Sequence, residues 1–373
     1  MRILHIASHF GVYRGGAVQL VRLALAQHER GHSVDVIVNV NRKAGASQRA
    51  SDRATWRLLD EAGLRVRSWA YESFTGRWRL RRAILKDGYD VVHAHRNPAL
   101  VAAWRALRRM PRPVLVAQRG SISRLPEAAL RAFCSPRVGA VAAVAQAVKD
   151  ALIADGVPGD KIHVVYGSVD LQQFAPRPPD AQRRARLGIP EDAPVIGSLS
   201  AWRHGKGLED LIEALGRTLT THPQVHAVLL GKDVPARLSR RTTALPPQVA
   251  ARVHLLDHQQ DVAAWLSLMT VTVVAATGRE GLSGVLRESL AMGIPVVSTD
   301  CAGNNEIVRD GETGRLVPAG DPEALAEALE WALSHPAEMQ AMARRGREWV
   351  LVHGSSARQA EAMERLYNLV LQR

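Results

Sequence analysis

Short apolar, β-branched runs alternate with longer helical patterns along the whole of this chain. "RILHIAS" gives way to "AVQLVRLALAQHERG", then to "SVDVIVNV" and "LRVRSWA". "DVVHAH", a helix near Pro98 to Arg109, "VLVAQRG", "GAVAAVA", another helix and "IHVVYGSVD" follow. Strands that are apolar almost throughout, with helices between them, predict a parallel sheet covered on both faces. The rhythm pauses at "FAPRPPDAQRRARLGIPEDAP", Phe174 to Pro194, where clustered prolines and charges predict a linker with one short helix. It resumes with "VIGSLSA", the helix "GLEDLIEALGRTL", "VHAVLLG", "VHLLD", "VTVVAAT", "PVVST", "EIV" and "RLVP", and two helices close the chain. The expected fold is α/β: two doubly wound Rossmann-like domains, residues 1–175 and 176–352, facing across a cleft. In such sheets ligands bind beyond the carboxyl ends of the strands, so the residues just past each strand carry the functional question.

The chain's 373 residues suit two domains of roughly 100–200 residues each. Its apolar runs, such as "VGAVAAVA", fall short of the ~20 residues a spanning helix needs. The opening "MRILHIASHF" enters a strand pattern with no leader-like region, and Cys134 and Cys301 lie far apart. Both features predict a cytoplasmic chain without a disulfide framework. Charge divides unevenly. Residues 1–175 hold 27 Lys+Arg against 13 Asp+Glu, and the remainder 22 against 23. A basic first half fits nucleic acid, an anionic membrane surface, an acidic substrate or simply a solvated basic surface.

In the second half, "WRHGKG" puts Arg203 and Lys206 in a strand-to-helix turn opened by Gly205 and Gly207. Glycines admit a ligand close to the backbone, and the next helix offers unpaired N–H groups and the positive end of its dipole. Two cations there make an anion site, or, on the plainer reading, a solvated turn. "TGREGLSGVLRES" then sets Glu280 among small residues after a strand, with Ser283 as the expected N-cap of a helix bearing Glu288. A carboxylate accepts paired hydrogen bonds from vicinal hydroxyls, as on a ribose. The plainer reading makes Glu288 a surface helix residue. Cations for a diphosphate and carboxylates for hydroxyls together describe a nucleotide-sugar pocket.

These motifs resemble the retaining glycosyltransferases of the GT-B fold, family 4. The family's Glu-x7-Glu followed by Ala/Ser-Met/Leu-Ala-x-Gly-x-Pro-Val-Val is matched by "EGLSGVLRESLAMGIPVV". "RGGAVQLVRLALAQHERGHSVDVIV", "YDVVHAH", "GDKIHVVYGSVDLQQFAP", "HGKGLEDLIEAL" and "NNEIVRDGETGRLVP" match other segments in order. The resemblance implies a C-terminal helix, 353–373, that crosses back onto the first domain. It implies that Glu288 holds the donor's ribose, Glu280 faces the transferred sugar, and Arg203 and Lys206 neutralise the diphosphate. Gly15 and Gly16 would bring backbone N–H groups to that phosphate, and Gly231, Ser283, Gly284 and Val285 would line the donor site. His95 and Arg119 would stand on the acceptor side. The chain departs from the pattern at Ala201, where the family's Arg usually stands, so that role passes to Arg203. Arg119 replaces a usual His, and Ser283-Gly284 replaces Phe-Gly.

The implied reaction moves a sugar, with retention, from a nucleotide-diphosphate sugar to a glycan or lipid-linked acceptor at the membrane; lipopolysaccharide core fits. No Asp-x-Asp occurs in the sequence, which predicts transfer without metal or other cofactor. "HAH" places His93 and His95 on one strand face, half of a metal site with no further cluster at a recognisable spacing. "FTGRWRLRRAILK" fits a helix lying on an anionic membrane, which would make the enzyme peripheral on the inner face of the cytoplasmic membrane. The same pattern fits a helix packed on the sheet. A nucleotide-sugar 2-epimerase of the same fold and a basic nucleic-acid-binding protein are the rival readings. The latter gives no reason for two glutamates in a cleft, so no nucleic acid is expected.

Overall fold

A computed structural model of the chain describes residues 1–8, 15–39, 56–278 and 280–372. They form two compact units, Met1–Ser168 with Ser355–Arg373, and Val169–Gly354. The boundaries read from the sequence, 175/176 and 352/353, thus stand at 168/169 and 354/355.

The first unit is built on seven strands: β1 Arg2–Ala7, β2 Ser33–Val38, β3 Arg65–Ser68, β4 Val91–His95, β5 Val114–Arg119, β6 Val138–Ala143 and β7 Ile162–Val164. Their order is β3-β2-β1-β4-β5-β6-β7, all pairs parallel. Central strands are buried almost end to end, as a sheet covered on both faces demands. The helix Ser356–Leu371 belongs to this unit. Ser355 caps it through the Arg358 N–H, and Met363, Leu366, Tyr367 and Val370 share a core with Val91, Val116 and Ala140.

The second unit holds β8 Val195–Leu199, β9 His226–Leu230, β10 Val253–Leu256, β11 Val271–Val274, β12 Val296–Thr299 and β13 Arg315–Val317. The order is β10-β9-β8-β11-β12-β13, again all parallel. Its core joins Ile196, Val271 and Val273 of the sheet to Leu211, Leu215 and Leu219 of helix Leu208–Thr221 and to Leu329. Each such side chain contributes about 1.5–3 kcal/mol on burial. The segment "EIV", expected as a strand, is instead the exit from a 3₁₀ turn, Ala302–Glu306. Among the described residues no helix is long and apolar enough to cross a membrane.

Candidate functional site

Each sheet reverses its winding once, between β1 and β4 in the first unit and between β8 and β11 in the second. At such switch points the loops on either side run apart and leave a crevice at the strand ends.

In the second unit the loops after β8, β11 and β12 are stitched to one another. The β8 turn ends at Gly207, which caps helix Leu208–Thr221 with φ 61. A Cβ on Gly207 would stand 1.7 Å from the Ala275 carbonyl oxygen, so only glycine lets the turn lie on the chain leaving β11. The Thr277 N–H donates to the Gly205 carbonyl at 3.0 Å, and the Lys206 N–H to Arg203 at 3.1 Å. On the β9 side, a Cβ at Gly231 would come 2.1 Å from the Ser200 carbonyl oxygen. This close stitching sets Lys206 Nζ 2.6 Å from Glu280 Oε1, with both side chains only partly exposed, 17% and 20%. A pair this near the surface adds about 0–1 kcal/mol to stability. Arg203 is exposed on the same turn and makes no ion pair among the described residues.

The loop bearing Glu280 is held from the other side by residues that sequence reasoning missed. Gly303 N–H donates to Gly281 O at 2.9 Å, and Ser283 N–H to Asn304 Oδ1 at 3.2 Å. Asn304 is fully buried, and its Nδ2 has no partner among the described residues. Ser283 does stand at the N-cap of helix Gly284–Ala291, but its side chain makes no capping bond. The N-cap position is as expected but the capping bond is not made: the Ser283 backbone is tied down, and the first amides of the helix, Gly284 and Val285, have no intrahelical partner and none in the Ser283 hydroxyl. Glu288 sits half-buried in the second turn. Cys301, at the end of β12, has its thiol pushed up by burial and then by the negative charges of Glu280 and Asp300. "NNEIV" directly after a strand was the signal that could have marked Asn304.

The switch point of the first unit is filled differently. Parallel pairing of β1 with β4 sets His5 opposite His93, so His95 lies two residues along the same face. His5 Nδ1 stands 2.9 Å from His95 Nε2, His5 Nε2 stands 2.8 Å from Gln27 Oε1, and His93 Nδ1 stands 2.7 Å from the Tyr367 hydroxyl. All three rings are buried, and desolvation lowers His5 to about 4 and drives His93 well below its ordinary value. They are the one group of three metal-ligating side chains drawn together among the described residues. Two ligands on a tetrahedral zinc at about 2.0–2.1 Å would stand roughly 3.3 Å apart; the 2.9 Å between His5 and His95 is instead the span of a shared proton. The arrangement is a buried hydrogen-bonded network, with His93 Nε2 left without a partner among the described residues.

Beyond His95, exposed Arg96 adopts φ 71, a strained conformation at the mouth of the switch point. Arg119, ending β5, is buried and donates to Asn97 Oδ1 at 3.1 Å and to the Ser123 carbonyl. Burial lowers its pKa. Gly15 and Gly16 open helix Gly15–Glu29, with Gly16 exposed; residues 9–14, which precede them, lie outside the described residues. The structure therefore places Arg203, Lys206, Gly231, Glu280, Ser283, Gly284, Val285 and Glu288 in one unit, on the loops after β8, β9 and β11 and in the first turns of helix Gly284–Ala291. Gly15, Gly16, His95 and Arg119 belong to the other.

Comparison with known proteins matches both halves. Residues 13–173 fit the family described as Glycosyltransferase Family 4, and residues 193–335 the one described as Glycosyl transferases group 1. The crystal structure of Anabaena Alr3699/HepE in complex with UDP superimposes with a TM-score of 0.85 at 22% identity, covering 99% of this chain and 100% of that one. Two doubly wound units in this likeness define the class: the fold is GT-B. The chain belongs to the family 4, group 1 glycosyltransferases. Among curated relatives, the lipopolysaccharide core biosynthesis glycosyltransferase LpsE of Rhizobium meliloti (strain 1021) is 36% identical over 177 residues, 48% of this chain and 50% of that protein. D-inositol 3-phosphate glycosyltransferase 1 of Catenulispora acidiphila is 29% identical over 302 residues, 74% of this chain and 71% of that one. The match thus spans half the length of the first relative and about seven tenths of the second.

Proposed function

We propose that this chain transfers a sugar, with retention and without a metal, from a nucleotide-diphosphate sugar to a membrane-associated glycan or lipid acceptor of the lipopolysaccharide-core kind. The observation that carries the reading is the Lys206–Glu280 pair at the β8/β11 switch point, beside the uncapped start of helix Gly284–Ala291. A departing nucleoside diphosphate gathers negative charge on its oxygens, and donors already aimed at that charge are commonly the largest catalytic contribution. Lys206, Arg203 and the Gly284 and Val285 amides are donors of that kind. Glu280 is a hydroxyl acceptor for the transferred sugar, and Glu288 for the ribose. With no donor bound, Lys206 neutralises Glu280. Donor binding exchanges that partner for phosphate oxygens and frees the carboxylate for sugar hydroxyls.

Retention follows if the acceptor oxygen attacks the anomeric carbon on the face the phosphate leaves. The anomeric C–O bond to phosphate breaks, the bond to the acceptor oxygen forms, and the acceptor's proton passes to the leaving phosphate. The fixed cations at the turn and the absence of Asp-x-Asp from the sequence support a reaction that needs no metal. The relative from Rhizobium is named for lipopolysaccharide core biosynthesis, and the HepE structure holds UDP; both favour this donor and acceptor class.

The test is a thermal-shift and transfer panel of UDP-, GDP-, ADP- and CMP-sugars with and without EDTA, with product anomers read by NMR. One nucleotide sugar should stabilise the protein equally with and without EDTA and give a product of retained configuration. Glu280→Gln should lower kcat about 100-fold or more with an unchanged melting temperature. Rates near wild type for this variant, activity abolished by EDTA, or inverted product would defeat the reading.

A further inference from the structure

The helix Phe74–Asp87 stands in the basic unit, pinned at both ends. Ser73 Oγ accepts from the Gly76 N–H, and Gly88, with φ 63, closes the helix by donating to the Ile84 carbonyl. Gly76, Leu80 and Ile84 are buried at four-residue spacing and form its inward stripe. Gly76 lies so close to Ala70 that a Cβ would come 1.9 Å from the Ala70 carbonyl oxygen.

The opposite face is unusual for a packed surface helix. Phe74 is 80% exposed, Trp78 56% and Leu85 54%, and their spacing puts them on one stripe. Arg79, Arg81, Arg82 and Lys86 are exposed around them and form no ion pair among the described residues. Arg82 lies 5.5 Å over the Trp78 ring. The helix's sole acid, Asp87, is engaged by Arg67 at 2.7 Å and Arg65 at 3.1 Å, so nothing on the helix offsets these charges.

We propose that this face docks on an anionic lipid bilayer, with Phe74, Trp78 and Leu85 entering the boundary between headgroups and acyl chains and the four cations on lipid phosphates. The proposal deepens the preceding reading, in which the acceptor is membrane-borne. Cations alone would suit any polyanion. An apolar stripe with an aromatic ring at its centre gains only where an apolar layer lies beneath the charge, which is the physics of an interfacial amphipathic helix. On RNA the arginines would find phosphates while Phe74 and Leu85 stayed in water.

The experiment uses the full chain and no donor or acceptor, so it stands or falls apart from the transfer reaction. Co-sedimentation is measured with vesicles of phosphatidylcholine and with the same vesicles containing phosphatidylglycerol. Wild type should pellet with the anionic vesicles alone. Removing two cations in Arg81→Gln/Arg82→Gln should weaken binding about 25-fold, at about fivefold per charge. Phe74→Ser/Trp78→Ser should abolish the binding that persists at high salt, where charge attraction is screened. The four substituted side chains being exposed, both variants should keep the wild-type melting temperature. Undiminished vesicle binding by either variant, equal binding to neutral vesicles, or wild-type binding to single-stranded RNA but not to vesicles would overturn the proposal.

Discussion

The two switch points occupy equivalent places in two sheets of like design, yet their polar residues are spent in opposite ways. At β1/β4 most of the bonding is internal: His5, His93, His95, Gln27 and Tyr367 form a buried hydrogen-bonded network in which His93 Nε2 alone of the ring nitrogens named has no partner among the described residues. At β8/β11 the side chains are charged and partly open to water, and they sit beside helix amides that the N-cap side chain, Ser283, does not cap. The first arrangement fastens a fold. The second is the place where the proposed donor would find bonding partners. A doubly wound sheet provides a crevice wherever its winding reverses; the residues lining that crevice determine whether it is filled from within or from outside.

The difference is sharpest in what substitution should do. Lys206→Met should lower kcat by about 100- to 1000-fold if Lys206 meets developing phosphate charge, while the melting temperature stays within a few degrees, because the ion pair is worth at most about 1 kcal/mol to the fold. Steady-state kinetics beside calorimetry checks both halves. A stability loss with preserved rate would erase the contrast.

Acid should act on the other switch point. The folded pKa of His5 is lowered by burial to about 4 from an ordinary 6.5. Its contribution to stability is therefore fully present above pH 6.5 and is lost as pH falls toward 4, amounting to about 3 kcal/mol. His93 shifts in the same direction and adds to the loss. In the second unit His254, also lowered to about 4 by burial and then by His226, gives that unit an acid dependence of its own. Denaturant melts of wild type and His5→Gln across this range should show a flatter profile in the variant. Equal slopes would mean that the network is not the acid-sensitive fastener.

The smallest expected effect belongs to Asn304→Ala. Losing the bond to the Ser283 N–H should cost about 1 kcal/mol of stability and lower kcat several-fold with little change in KM for the donor, since Asn304 acts by positioning the Glu280 loop. Asn304→Asp, which keeps the accepting oxygen, should restore much of the rate. A variant indistinguishable from wild type in both would remove Asn304 from the site.

Most of the architecture was legible because it rests on local pattern. Apolar strand runs, the proline-rich stretch at Phe174 to Pro194 and helix periodicity are properties of neighbouring residues. Lys206 and Glu280 could be suspected for the same reason, since each follows a strand in a glycine-bearing turn. Their contact could not, because it depends on β8 and β11 being neighbours in the sheet. His5 escaped notice on equal grounds: nothing in "RILHIAS" shows that it will stand opposite His93, and the third ring of the cluster emerged only with the β1–β4 register. Ser283 stands at the N-cap as expected, but Ser before a helix predicts a capping hydroxyl, whereas here Asn304, from a 3₁₀ turn twenty-one residues on, holds its backbone instead. Exposure of Phe74 and Trp78 was equally beyond a pattern that fits packed and unpacked helices alike.

Tyr367, which completes the bond to His93, comes from a helix that follows the whole of Val169–Gly354 in the chain. The first unit is therefore closed by a segment made after the whole of the second, and an imidazole near the start of the chain depends on a hydroxyl from its far end. The unit that the chain begins first is the one it completes last.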